Sequence, residues 1–126
     1  EVFGQVTDDK DGLVTLMEHF DKTLGVTFFI DRSSRAAART AGTCETFISN
    51  DSGMAHLAVV GGCKKVIVLY GPTSVNKNTH DSMTPIVAQG ACSSQACYTD
   101  HFTCDCSENI CMKAIKAERV LQELLS

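Results

Sequence analysis

Phe47-Ile48-Ser49-Asn50-Asp51-Ser52-Gly53-Met54-Ala55-His56, followed shortly by Lys65-Val66-Ile67-Val68-Leu69-Tyr70-Gly71-Pro72, is the stretch whose reading decides the fold. Glu45–Ser49, short and centred on Thr46, Phe47 and Ile48, reads as a strand. Asn50-Asp51-Ser52-Gly53 is a polar turn, and Met54–Val60 reads as a short helix stopped by Gly61-Gly62. Lys65–Tyr70 is an apolar run of the kind found in strands buried on both faces, ended by Gly71-Pro72. Strand, helix and strand in that order imply parallel strands joined by a right-handed crossover.

The same alternation extends outward. Ser33 is placed to N-cap an Ala-rich helix running through Arg35–Arg39 toward Gly42. Before it, Val26-Thr27-Phe28-Phe29-Ile30 predicts a strand buried on both faces, and Leu13, Leu16, Met17, Phe20 and Leu24 make one face of a helix ended by Gly25. Asp8, Asp9 and Asp11 stand where a helix start favours negative charge, and Val2-Phe3 reads as the end of a first strand. Downstream, residues 73–80 form a polar loop and Pro85-Ile86-Val87 a short edge strand. A Cys-rich segment spans 92–111, and a final helix over 116–125 is expected to bury Val120, Leu121, Leu124 and Leu125. The pattern is that of an α/β chain: a Rossmann-like parallel sheet with helices on both faces, one unit over 1–126.

Composition narrows the function classes. The 126 residues are 44% hydrophobic and 21% charged, ordinary for a folded soluble domain. A net charge of −4 excludes a protein held to nucleic acid by bulk charge. No apolar run approaches the ~18–20 residues that span a bilayer. The chain opens on Glu1-Val2-Phe3, without an initiator Met and already inside an apolar stretch, so an N-terminal truncation is expected.

In open parallel sheets, ligands bind where strand carboxyl ends feed helix N-termini. The turn at Asp51-Ser52-Gly53 suits this role. Asp51 and Ser52 are expected to cap the helix, while Gly53 has no Cβ to hold a ligand away from the backbone. The amides of Gly53, Met54 and Ala55 then face a phosphate or diphosphate with the positive end of the helix dipole behind them. His56, near the end of the first turn, is expected to hydrogen-bond the same anion. Gly71-Pro72-Thr73, ending the next strand, would sit beside this turn and complete a crevice. The plainer reading, a capped helix with a surface histidine, loses weight because these features occur together. Asp9-Lys10-Asp11 precedes a helix and reads as helix-start charge rather than a metal clamp.

Asn50-Asp51-Ser52-Gly53-Met54-Ala55-His56-Leu57-Ala58, then Val66-Ile67-Val68-Leu69-Tyr70-Gly71-Pro72-Thr73, resembles the C-terminal domain of glycosyltransferase family 9, the ADP-heptose:lipopolysaccharide heptosyltransferases. The similarity runs from about Leu13 to the C-terminus. It implies the C-terminal half of a GT-B architecture, which holds the nucleotide-activated sugar, with a missing N-terminal domain supplying acceptor contacts and the general base. It implies that Asp51 meets the sugar or phosphate region of ADP-heptose, that Ser52, Gly53 and Met54 hold the diphosphate, and that His56 stabilises it. Gly71, Pro72 and Thr73 would line the same donor site. Asp51 and His56 are thus the catalytic candidates. No divalent metal is implied as essential, and this piece alone is expected to be inactive. The acceptor would be a lipopolysaccharide core, and the location cytoplasmic, at the inner face of the bacterial inner membrane with peripheral membrane association. Ser74-Val75-Asn76-Lys77 stands where the family often has an acidic residue and Pro.

Seven cysteines are an excess, and five fall in 92–111 with the spacing C-x4-C-x6-C-x-C-x4-C. A structural zinc or iron site, a disulfide framework and reduced thiols are all compatible with that spacing. The family resemblance singles out Cys92, Cys97, Cys106 and Cys111 as a structural metal set and leaves Cys104 extra. Cys44 and Cys63 read as core residues, and His19, His80 and His101 have no assigned partner. Two rival readings remain: another GT-B nucleotide-sugar enzyme, such as a glycosyltransferase or an epimerase, and a non-catalytic metal-stapled binding domain.

Overall fold

The structure, a computed structural model, describes residues 2–4, 28–30, 32–88, 90–92, 96–98 and 106–126. It forms two compact units, Glu1–Ala37 and Ala38–Ser126. In the first, β1 (Val2–Gly4) pairs in parallel with β2 (Phe28–Ile30), with Phe3 opposite Phe29. The predicted helix over Leu13–Leu24 and Asp8, Asp9, Asp11 and His19 lie outside the described residues. Helix α1 (Ser34–Gly42) begins in this unit and ends in the next. Ser33 caps it as expected, its Oγ accepting from the Ala36 amide at 3.3 Å.

The second unit carries a three-stranded parallel sheet in the order β3 (Thr46–Asn50), β4 (Lys65–Tyr70), β5 (Met83–Val87). The chain is α/β and Rossmann-like, with helices around a parallel sheet. Val66, Val68 and Tyr70 point to one face of β4 and Ile67 to the other, and all four are fully buried, so this central strand is covered on both sides. That is why Lys65–Tyr70 reads as continuous apolar sequence rather than as an alternation. Pro85 is tolerated because β5 lies at the sheet edge, where a missing N–H breaks no second ladder.

Helix α2 (Gly53–Gly61) makes the crossover from β3 to β4 and buries Ala55 and Ala58. Its C-cap, Gly62, takes φ 93°, the left-handed turn that stops a helix. Gly61 and Gly42 have a second purpose. A Cβ on Gly61 would lie 2.0 Å from the Ala38 carbonyl oxygen, and one on Gly42 2.0 Å from the Gly61 oxygen. Helices α1 and α2 therefore meet backbone to backbone, a packing role beyond the helix stops expected of these glycines.

After β4 the expected polar loop contains one short helix, α3 (Val75–Asn78). The C-terminal segment adds α4 (Ile110–Lys113) and α5 (Ala117–Leu125). Lys65 Nζ donates to the Glu123 carbonyl and, at 3.1 Å, to Ser126 Oγ, which ties the end of α5 to the start of β4. Within α5, Arg119 donates to Glu123 at 3.0 Å and holds that carboxyl below its ordinary range. The expected burial of the α5 stripe is corrected: Leu121 is 52% exposed, Leu124 38% and Leu125 77%. The helix covers Leu69 at a distance, leaving an apolar groove of about 610 Å³ lined by Leu69, Met112, Ile115, Val120, Leu121 and Leu124. No helix among them is long and apolar enough to cross a membrane.

Candidate functional site

The candidate site residues around Asp51 lie at the carboxyl ends of β3 and β4. The Asp51 amide donates to the Leu69 carbonyl at 3.1 Å, extending the ladder by one bond and starting the two loops side by side. Ser52 then takes an extended backbone, φ −154° and ψ 166°, and becomes the N-cap of α2. Its side chain caps nothing, contrary to expectation. Its hydroxyl lies 3.2 Å from Ser49 Oγ, turned back toward the strand. Ser49 Oγ also lies 2.7 Å from the Asn50 carbonyl, to which it can donate, and either hydroxyl can donate in the Ser49–Ser52 pair. Only Ala55 of the first turn is closed locally, its amide meeting the Ser52 carbonyl at 3.1 Å.

The amides of Gly53 and Met54 are thus left uncapped by Ser52, in the orientation in which helix starts receive anions. A Cβ placed on Gly53 would find no atom within 4 Å, so the approach to this turn is open. Met54 is half-buried, and His56 is exposed one turn into the helix.

The Asp51 carboxylate does not cap the helix either. Asn78, the last residue of α3, donates from Nδ2 to Asp51 Oδ2 at 2.6 Å. The loop after β4 therefore does reach the loop after β3, and the contact is made by Asn78, a residue that sequence reasoning passed over as part of a polar loop. Tyr70, last in β4, is fully buried, and its hydroxyl has no hydrogen-bond partner among the described residues. Burial pushes the phenol above its ordinary value; the Thr79 side chain, near the hydroxyl but outside hydrogen-bond geometry, offsets part of the rise, and the Asp51 charge adds to it. Thr73 Oγ1 is likewise buried without a partner among the described residues.

Gly71 and Pro72 face the C-terminal segment. A Cβ on Gly71 would lie 2.4 Å from Met112 Cγ and 2.7 Å from its sulfur, so the absent side chain makes room for Met112. The Pro72 carbonyl accepts from the Tyr98 amide at 2.9 Å.

Among the described residues, no group of three or more His, Cys, Asp or Glu is gathered to hold a metal. Cys92, Cys97 and Cys106 are half-buried and Cys111 is buried, with no disulfide among the six described cysteines. Cys106 is held below the ordinary thiol value by backbone amides, that of Ile110 first and those of Glu108 and Asn109 after it. Cys63 is buried as expected, its thiol donating weakly to the carbonyls of Cys44 and Lys65 at 3.4 Å each. His80 has a local role, its Nδ1 accepting from the Ser82 amide at 3.2 Å. His101 and Cys104 lie outside the described residues.

The family model for glycosyltransferase family 9 (heptosyltransferase) matches residues 33–121, well over half of the chain and all of the loops just described. The chain belongs to glycosyltransferase family 9. As a family 9 glycosyltransferase it works with a nucleotide-sugar donor and an acceptor. Neither a curated protein nor a solved structure matches the chain.

Proposed function

We propose that this family 9 chain is the donor-binding half of an enzyme that transfers heptose from ADP-heptose to a lipopolysaccharide core. One observation carries the reading: the uncapped first turn of α2, with open space at Gly53 and a positioned carboxylate at Asp51 beside it.

In this reading the amides of Gly53 and Met54 bind the diphosphate, Ser52 sets the turn, and His56 adds a hydrogen bond or positive charge from the exposed side of the helix. A carboxylate next to a diphosphate would repel it, so Asp51 serves the hydroxyl-bearing part of the donor. Pro72 and Thr73 border the crevice and Gly71 contributes backbone, its Cβ position being closed by Met112. An acceptor hydroxyl attacks the anomeric carbon as the bond to ADP breaks, with inversion. Helix-start amides and His56 stabilise the charge growing on the leaving diphosphate, an electrostatic contribution made by groups already in place. The hydroxyl proton passes to a base supplied by the N-terminal half of the enzyme. Neither a divalent metal nor a cysteine is needed for this step. The reaction belongs at the cytoplasmic face of the inner membrane, where such an acceptor is assembled.

Calorimetric titration of the full-length protein with ADP, ADP-heptose and UDP tests the reading. Saturable binding of ADP and ADP-heptose is expected, both weakened at least tenfold in His56→Ala, with ADP-heptose weakened at least tenfold in Asp51→Ala. A preference for UDP would reassign the donor within the GT-B enzymes, and no nucleotide binding at all would refute the proposal.

A further inference from the structure

The Asp51 side chain is held from a different crossover loop than its own. Its backbone is anchored by the Leu69 carbonyl, and its Oδ2 accepts from Asn78 Nδ2 at 2.6 Å. Asn78 is itself held: its amide donates to the Ser74 carbonyl at 3.2 Å, and the next amide, Thr79, donates to Val75 at 2.8 Å. We propose that Asn78 is a positioning residue for Asp51, engaging Oδ2 so that Oδ1 is the oxygen offered to a hydroxyl of the nucleotide sugar. This rests on the donor-binding reading above.

The chemistry of the pair supports that division of labour. A primary amide donates a charge-assisted hydrogen bond without bringing a positive charge, so the carboxylate is oriented and remains an anion. A Lys or Arg at this position would neutralise it and invite phosphate instead. A negative, half-occupied carboxylate discriminates in favour of hydroxyl donors and against the diphosphate, which is left to the start of α2. Beneath the pair, the buried Tyr70 phenol stays protonated, so no second negative charge competes at the same spot.

The test is a double-mutant cycle in the full-length protein, read by calorimetric titration with ADP-heptose. Asn78→Ala is expected to weaken binding about tenfold, the scale of a lost hydrogen bond to a charged group. In an Asp51→Ala background, which removes both carboxylate oxygens, the same change is expected to cost less than twofold, because its effect runs through Asp51. Asn78→Gln keeps the donor and should stay within about threefold of the native affinity, whereas Asn78→Asp sets two carboxylates together and should fall below the alanine variant. Gln and Asp variants of equal affinity would overturn the proposal, as would full additivity in the cycle; this pair of side chains keeps the test decisive if the alanine variant folds poorly. If Asp51→Ala weakens binding and Asn78→Ala does not, the positioning role fails while the donor site stands. If Asp51→Ala leaves ADP-heptose binding unchanged, the Asp51 assignment fails, and the positioning role with it.

Discussion

Gly53→Ala separates a ligand's need for space from the protein's own. The added Cβ would meet no atom within 4 Å, and Gly53 is not among the glycines with left-handed backbone. No clash and no strain oppose the change within the fold. Alanine is the better helix former by up to about 1 kcal/mol, less at a helix end, so stability should be unchanged or slightly raised. Binding should respond in the opposite direction. A methyl group at the first residue of α2 stands where a diphosphate must approach the Gly53 and Met54 amides. One amide bond to a charged oxygen contributes about 1.5–3 kcal/mol, so losing it lowers affinity about 10- to 150-fold. Thermal melts and ADP titrations on the same preparations of full-length protein read both quantities. A variant that melts at or above the native temperature but binds ADP at least tenfold more weakly meets the expectation. Native-like ADP affinity would refute the assignment of these amides to the diphosphate.

Two further predictions concern the frame around the site. Gly61→Ala sets a Cβ 2.0 Å from the Ala38 oxygen, backbone against side chain, and forces α1 and α2 apart by roughly 1.4 Å. Overpacking of this kind costs about 3 kcal/mol before a helix-propensity offset of about 1, so urea melts should report a net loss near 2 kcal/mol; a neutral result would mean Gly61 is only a helix stop. Tyr70→Phe removes a buried hydroxyl that lacks a partner among the described residues and should stabilise the fold by about 1 kcal/mol, raising the melting temperature. A comparable loss would show that the hydroxyl is satisfied in solution.

Much of the fold was legible because the local signals agree. Lys65–Tyr70 has the same bounds in sequence and structure, since six residues between Gly-rich and Gly-Pro turns admit few alternatives. Ser33 is a working cap for the same kind of reason. The α5 stripe misled. Its periodicity shows that one face is apolar, but not how closely that face approaches the sheet, and Leu121, Leu124 and Leu125 are left partly open. At the candidate site, Asp51, Gly53 and His56 could be grouped from the sequence because their spacing around one turn is local. Asn78 could not, because it is 27 positions from Asp51 and nothing in a run of polar loop residues names its partner.

The sequence by itself determined the order of strands and helices, the helix start that an anion can approach, and, through residues 33–121, membership of glycosyltransferase family 9. These are properties of short segments, set by spacing, side-chain branching and glycine placement. Tertiary structure alone decided what the side chains do with that geometry. Ser52 turns toward Ser49 instead of capping α2, Asn78 claims one oxygen of Asp51, and Met112 occupies the space above Gly71. Each of these outcomes depends on which loops the parallel sheet sets side by side, and chain spacing carries no record of that.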